Sequence, residues 1–397
     1  MSSTSTGLPL DLPLLRQRID TLDSQLVDLL NERAQVSINI GLAKGSQKEA
    51  SHENISETAN GNGKRPIEHI HQPARELKVY ERVKRLNTGP LKDNAIEAIY
   101  REIMSASISL QRKITVAYLG PRGSYTSQVA HARFGDSVAF SDMPTIQDVF
   151  KAVRDKSVTY GVVPIENSTM GNVDATLDSF LAAFEGVGSS SATGGGVMIR
   201  AEDYLPIHHC LLSTCKSISE IRKVYSHYQS IGQTSQWYET HMKGIERVAV
   251  ASNSAAAILA SKEPGTAAIC GEQCAEMYQL TVLERNIEDK KNNMTRFFIL
   301  GDKCEAGTGN DKTLVYFTVD HRMPGSLADA LSVLKSYRIN LTKIDSRPSG
   351  SVNWNYNFFI EFTGHYQDEN VSQALSEMKA YCPMINVLGS YPNQTPQ

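Results

Sequence analysis

From Leu15 to Ile40 the apolar residues Leu15, Ile19, Leu22, Leu26, Leu29, Val36 and Ile40 recur mostly three and four positions apart. Only an α-helix puts such a set on one face, so the chain opens with a long amphipathic helix whose stripe needs something to pack against. A second helix is expected from Pro73, whose fixed φ suits a first turn, with Leu77, Val79, Val83 and Leu86 on it. Asn87-Thr-Gly-Pro90 breaks that helix, and a third is expected from about Asp93 to Arg112, aligning Ile96, Ile99, Ile103 and Leu110. Between the first two, KGSQKEASHENISETANGNGKRP holds almost no apolar residue and reads as a disordered insertion over about 45–70. The expected helical domain therefore covers 12–113.

After Lys113 the period changes. ITVAYLG, YGVVPIE, LPIHHCLL, KVYS, RVAVA and TAAIC read as short strands, separated by helical stretches such as SQVAHARF, TIQDVFKAVRD and SNSAAAILASKE. That alternation predicts an α/β domain over 114–302, with EGVGSSSATGGG as a flexible surface insertion. A polar linker over 303–312 precedes a third texture over 313–392. There TLVYFTVDH, PGSLADALSVLKSY, INLTKIDSRP, YNFFIEFTGH, NVSQALSEMKAY and INVLGSYP read β-α-β-β-α-β, a ferredoxin-like order.

Charge and cysteine usage narrow the function. Forty basic against forty-three acidic side chains, a net charge of -3, exclude a dedicated nucleic-acid or anionic-membrane binder, which needs a basic excess. No apolar run approaches the ~20 residues of a membrane span, and MSSTSTGLPLDLP lacks the order of a signal or transit peptide. A cytoplasmic protein with reduced thiols is expected. Cys270 and Cys274, four apart, would share a face of a helix, but no second pair completes a metal tetrahedron, so no metal is expected.

Polar residues interrupt the helical stripes. Arg33 stands where an aliphatic side chain is expected, Glu76 aligns with Val79 and Val83, Ser107 aligns with Ile103 and Leu110, and Gln111 follows one turn on. Helical bundles build ligand sites this way; an internal Arg33–Glu76 ion pair, or a side chain reaching solvent, is the plainer alternative. On a straight helix Lys44 lies about 16 Å from Arg33 on the same side, and Arg16 about 25 Å from Arg33. One small ligand cannot touch both arginines of one chain, so a site using both needs a second chain.

LRQRIDTLDSQLVDLLNERAQVSINIGLAK, PAREL and NTGPLKDNAIEAIYREIMSASISLQ closely resemble the AroQ-type helical chorismate mutases, which are intertwined dimers. The resemblance implies that Arg33, with Arg16 from the partner chain, holds the two substrate carboxylates. It implies that Lys44 and Gln111 donate to the ether oxygen, and that Glu76 holds the ring hydroxyl with Arg75 and Ser107 in support. The rearrangement of chorismate to prephenate requires a compact conformer and stabilised developing charge rather than a nucleophile. Here the insertion lengthens the loop between two site-bearing helices, and HQPARE replaces the family's YxPERE, leaving Gln72 at a site position.

Three loops stand out in the α/β region. AYLGPRGSYTS lies between a strand and a helix, where Gly120 and Gly123 allow close backbone approach and Ser124, Thr126 or Ser127 can cap an anion-binding N-terminus. VVPIENSTMGNVDATLD gathers Glu166, Asn167, Ser168, Thr169 and Asn172, and NNMTRFFIL sets Thr295, Arg296 and Phe297 at the start of a strand. Together they resemble the signature set of prephenate dehydratase, a two-lobed α/β family like type 2 periplasmic-binding proteins, with the site in the cleft. The resemblance implies Thr295 as essential donor to the departing hydroxyl. It implies substrate contacts from Gly123, Ser124, Thr126, Asn167, Ser168, Arg296 and Phe297. Glu166 is expected to complete a proton relay, since a threonine hydroxyl is too weakly acidic alone. Tyr228 in SHYQ replaces the family's proline, and His208 and His209 read as hydrogen-bonded core histidines on a strand.

PGSLADAL and KIDSRPSGSVNWNYNFFIEFTGH resemble the ACT domain of these dehydratases. The effector site for L-phenylalanine is then expected at Gly325, Ser326, Leu327, Asp345, Ser346, Arg347 and Pro348, with Ser326 and Asp345 replacing the family's alanine and glutamate. The whole reads as a multidomain chain: an all-α mutase domain, a two-lobed α/β dehydratase domain and an α+β ACT domain, assembled as a homodimer or homotetramer. The expected substrates are chorismate and prephenate, with no cofactor. The alternatives are a degenerate mutase domain kept for dimerisation, a preference for arogenate, and a non-catalytic amino-acid sensor.

Overall fold

The computed structural model describes residues 11–53, 73–111, 113–184, 196–349 and 353–396. The chain divides into two compact units. The first contains α1 (Leu12–Glu53), most of α2 (Pro73–Leu86) and α3 (Asp93–Gln111). α1 runs past the expected start of the insertion because Gln47, Lys48, Glu49 and Ala50 are all good helix formers. The remainder of that insertion, 54–72, lies outside the described residues, as does 185–195 of the second one. Within this unit α1 packs on α3, and Gly41 permits the approach: a Cβ there would lie 3.2 Å from the Gln111 Cβ. α3 covers only part of α1. Leu15, Ile19, Leu22, Leu26, Leu29 and Val36 of the stripe remain exposed.

The second unit holds the rest of the fold and the first turn of α2, Pro73–Lys78. Its elements begin with β1 (Thr115–Leu119), α4 (Tyr125–Phe134), β2 (Ala139–Met143), α5 (Ile146–Arg154), β3 (Tyr160–Asn167), β4 (Gly171–Asn172) and α6 (Asp174–Phe184). β5 (Met198–Pro206) leads to a second group: β6 (Cys210–Ser213), β7 (Lys223–His227), α7 (Tyr228–Gln233), α8 (Ser235–His241), β8 (Glu246–Val250), α9 (Asn253–Lys262), β9 (Thr266–Cys270), α10 (Gln273–Tyr278) and β10 (Thr281–Glu284). β11 (Met294–Gly301) returns to the first group. The C-terminal module comprises β12 (Asp311–Thr318), α11 (Ser326–Ser336), β13 (Leu341–Pro348), β14 (Tyr356–Thr363), α12 (Glu369–Met378) and β15 (Met384–Pro392).

Two mixed sheets result. One runs β10-β6-β9-β7-β8; the other runs β13-β14-β12-β15-β5-β11-β3-β1-β2, with β4 added to β3. LPIHHCLL is therefore not one strand. Pro206 ends β5, Cys210 begins β6 in the other sheet, and Ile207–His209 is the crossing between them. Cys270 closes β9 while Cys274 lies on α10, so the two do not share a helix; all six cysteines are free.

The C-terminal module is not a separate bead on a linker. β15 pairs parallel to β5 through Gly389 and Ile199, and a Cβ on Gly389 would collide with the Ile199 backbone. One apolar core continues across the join, with Leu314, Tyr316, Phe359, Leu388 and Tyr391 packed in the same cluster as Val163, Phe180, Ile199 and Phe298. Alternate inward residues of adjoining strands supply it, as sheet geometry requires. No helix among the described residues is long and apolar enough to cross a membrane.

Candidate active sites

A cleft of about 650 Å³ opens in the second unit, and both sheets contribute to its wall. From the larger sheet come the β1–α4 turn (Gly120, Pro121, Ser124, Tyr125, Thr126), the β3–β4 turn (Asn167, Gly171, Asn172) and Thr295 and Phe297 of β11. From the smaller come His227, Gln229, Ser230, Gln233, Ser252 and Asn253, and the crossing contributes Ile207 and His209.

The β1–α4 turn is built by local sequence. Gly123 takes φ +84°, which favours glycine. Ser124 caps α4, accepting from the Ser127 N–H at 3.1 Å and donating to the Leu119 carbonyl at 3.0 Å. The Gly123 carbonyl is held from the other lobe by Gln273 Nε2 at 3.2 Å. Gly123 itself buttresses the turn and does not line the cleft, whereas Ser124 and Thr126 do. Ser252 caps α9 in the same manner, accepting from the Ala255 N–H at 3.0 Å. Two helix N-termini, one from each lobe, thus open on the same space, and both favour anions.

Thr295 stands at the start of β11, opposite Asn167 of β3 in the antiparallel register. Asn167 Nδ2 donates to Thr295 Oγ1 at 2.9 Å and to Asn293 Oδ1 at 2.8 Å. Its Oδ1 accepts from the Thr169 and Met170 N–H groups, both at 3.0 Å, closing the β3–β4 turn. Ser168 fastens the same turn by exchanging hydrogen bonds with the backbone of Met294, at 2.8 and 2.9 Å, and does not line the cleft. Asn293, unremarked in the sequence, is buried with its Nδ2 unpartnered among the described residues.

Two expected site residues, Arg296 and Glu166, do not line the cleft. Thr295 and Phe297 face the cleft, so Arg296 between them faces the other side of the sheet. There Arg296 Nε donates to Glu202 at 2.7 Å and Nη2 to Glu361 of β14. Lys312 of β12 completes the buried cluster, 2.7 Å from Glu202 and 3.7 Å from Glu361. Glu166 likewise leaves the cleft: it lies 2.8 Å from Lys343 and 3.9 Å from Arg296. Neither is placed to touch a ligand in the cleft.

His209 is a core histidine, as its apolar sequence context suggests, and also lines the cleft, buried with Nδ1 3.0 Å from Tyr125 Oη and Nε2 2.8 Å from Gln233 Oε1. Burial holds its pKa below the ordinary value, favouring the neutral ring. Its signal was the Pro206 before it, which marks a strand end. Ser252 and Asn253 were missed too, although Ser-Asn-Ser before an alanine-rich run is a capping pattern. Tyr228 opens α7 on the exposed side, while its neighbours His227 and Gln229 face the cleft.

In the helical unit, Arg33 of α1 donates to Ser107 Oγ of α3, and more weakly to the Ile103 carbonyl at 3.4 Å. Gln111 lies beside Gly41 on the same face. Lys44 falls on α1 with its side chain outside the described set, and Arg16 and Arg75 are exposed. Glu76 falls in the second unit, where burial pushes its carboxyl up to about 7 against the opposing charge of Arg133. In the C-terminal module Gly325–Leu327 open α11, and Asp345–Pro348 end β13. Arg347 does not stand free there: it grips Asp178 of α6 at 2.7 and 2.8 Å and Asp174 at 2.7 Å. Among the described residues no group of three or more His, Cys, Asp or Glu could hold a metal ion.

A two-lobed α/β cleft with a polarised hydroxyl between two helix N-termini, joined in one chain to a three-helix unit with an arginine–serine pair, defines a class of two-site enzymes. Comparison with known proteins is specific. Residues 15–112 match the family model for chorismate mutase type II, and residues 116–305 match that for prephenate dehydratase. A bifunctional chorismate mutase/prephenate dehydratase of Aquifex aeolicus is 39% identical over 96% of this chain and 98% of its own length. That of Pseudomonas aeruginosa is 38% identical over 96% and 97%. A prephenate dehydratase from Arthrobacter aurescens, solved in complex with L-Phe, superposes with a TM-score of 0.63 at 29% identity, over 72% of this chain and 92% of its own. The chain belongs to the bifunctional chorismate mutase/prephenate dehydratase family.

Proposed function

We propose that the chain rearranges chorismate to prephenate in the helical unit and converts prephenate to phenylpyruvate in the cleft, under feedback by L-phenylalanine at the C-terminal module. The observation that carries the dehydratase reading is Thr295 Oγ1, held by Asn167 and facing a cleft into which α4 and α9 direct their N-termini. Prephenate carries two carboxylates, and the two N-termini supply one cradle for each. The Asn167 amide occupies a lone pair of Thr295 Oγ1 and strengthens its O–H as a donor. Thr295 donates a hydrogen bond to the C4 hydroxyl as the C4–O bond breaks, the electron pair of the C1–carboxylate bond enters the ring, carbon dioxide leaves, and the departing hydroxide takes a proton from solvent in the open cleft and leaves as water. Aromatisation supplies the driving force. Neutral His209 keeps Tyr125 and Gln233 in place across the two lobes. Incubation with prephenate, and in parallel with arogenate, tests this assignment: phenylpyruvate from prephenate is expected, and a faster reaction with arogenate would reassign the substrate.

For the mutase, Arg33 and Ser107 form one end of a site, and Lys44 and Gln111 serve the ether oxygen. The exposed stripe of α1 indicates what completes it. Leu15, Ile19, Leu22, Leu26 and Leu29 lie on the arm that carries Arg16. Burying that stripe against a second copy gives the dimer and brings Arg16 of that copy to Arg33. The double variant Leu22→Asp/Leu26→Asp is expected to sediment at half the mass of the parent assembly. It should lose mutase activity by about 100-fold or more through the misplaced arginine, with dehydratase activity retained. The C-terminal β-α-β-β-α-β module, with spatial order β15-β12-β14-β13, is proposed as the ferredoxin-like ACT domain binding the effector.

A further inference from the structure

The loop that orients Thr295 is held from outside the dehydratase domain. Lys343, on β13 of the C-terminal module and two residues before Asp345, directs its Nζ to Asn172 Oδ1 at 2.6 Å and to Glu166 Oε2 at 2.8 Å. It also lies 3.4 Å from Asp345 Oδ2, while Asn172 Nδ2 donates to Asp345 Oδ1. The ammonium is largely sequestered, its side chain 15% exposed. Its two partners are neighbours in the β3–β4 ladder, where Glu166 pairs with Asn172 and Asn167 with Gly171. Asn172 and Asn167 both line the cleft. An unbroken chain of contacts therefore leads from Lys343 through Asn172 and Glu166 to Asn167, and from Asn167 to Thr295 Oγ1.

We propose that Lys343 is a positioning residue for the dehydratase reaction: from the strand that carries the expected effector segment, it pins the β3–β4 turn so that Asn167 presents Thr295 to the substrate. Two charge-assisted bonds from one point charge, to Glu166 and to Asn172, fix both ends of a short hairpin, which a neutral residue at 343 cannot do. The regulatory corollary rests on the proposed effector role of the C-terminal module. A change in β13 on L-phenylalanine binding alters the Lys343 contacts, and with them the orientation of the catalytic hydroxyl.

The test compares Lys343→Met and Lys343→Arg in the full-length protein. Lys343→Met should lower the dehydratase kcat about 10-fold with KM for prephenate nearly unchanged, since loss of orientation penalises the chemical step. Lys343→Arg, which keeps the charge, should recover most of that loss. Chorismate mutase activity of the same preparations reports folding and should stay at the parent level. In Lys343→Met, L-phenylalanine should still bind by calorimetry but alter kcat less than in the parent. A parental kcat in Lys343→Met, or a loss confined to KM, overturns the positioning role. Absence of L-phenylalanine binding to the parent protein removes only the effector reading and leaves the kcat comparison to decide the rest.

Discussion

Replacing Thr295 by valine lowers the dehydratase kcat by about 10²–10³-fold, the usual effect of removing one donor aimed at developing charge. KM for prephenate should change little, because the two helix N-termini proposed to cradle the carboxylates are untouched. Valine keeps the shape and β-branching that suit the second residue of β11, so folding should be preserved. The mutase rate, proposed to depend on Arg33 and Ser107 in the other compact unit, should be unchanged. Thr295→Ser retains the hydroxyl and should keep a larger share of the activity. Steady-state kinetics of both reactions on one preparation distinguish these outcomes. Equal loss of both activities would mean that the substitution disturbs the fold, and parental dehydratase activity in Thr295→Val would remove the hydroxyl from the reaction.

Arg296→Met produces the largest expected change in stability. Arg296 shares a buried cluster with Glu202, Glu361 and Lys312; the four side chains are 7%, 0%, 3% and 3% exposed in that order. Removing the arginine leaves two carboxylates facing one lysine, a loss of about 3–5 kcal/mol, and a drop in thermal midpoint on the order of 10 °C. Burial opposes ionisation of Glu361, but Arg296 and Lys312 outweigh it and hold its pKa below the ordinary 4.5. A carboxylate with a depressed native pKa contributes stability that is complete above about pH 4.5 and is lost as pH falls through the native value. The gap between parent and Arg296→Met should therefore be full near neutral pH and narrow in acid. The double variant Arg296→Met/Glu361→Met should cost less than the sum of its parts. Melting curves across pH for the four proteins of this cycle test the account.

The resemblance and the hydrophobic periods made much of this legible, and particular residues show where legibility ended. Pro73 and the Asn87–Pro90 break marked helix ends because their backbone chemistry is local. Thr295, Asn167 and Ser124, which line the cleft, could be singled out because their motifs are contiguous. Arg296 and Glu166 do not line the cleft, and a motif read as a string could not show it: alternation along β11 turns Arg296 away, and a register shift between β3 and β11 next to Glu166 breaks the alternation there. Pro206 was visible, yet whether the chain continues in one sheet or crosses to another is decided by tertiary pairing of β5 with β11 and of β6 with β9. The join at Gly389 was hidden for the same reason: the need for glycine comes from Ile199, far away in sequence.

The central claim, that one chain carries both reactions, is tested most directly by supplying the purified protein with chorismate alone and following chorismate, prephenate and phenylpyruvate by chromatography. The account predicts that chorismate disappears faster than in a protein-free control and that phenylpyruvate accumulates. Chorismate persisting at its uncatalysed rate, while added prephenate is consumed, would contradict the mutase half; prephenate accumulating without phenylpyruvate would contradict the dehydratase half.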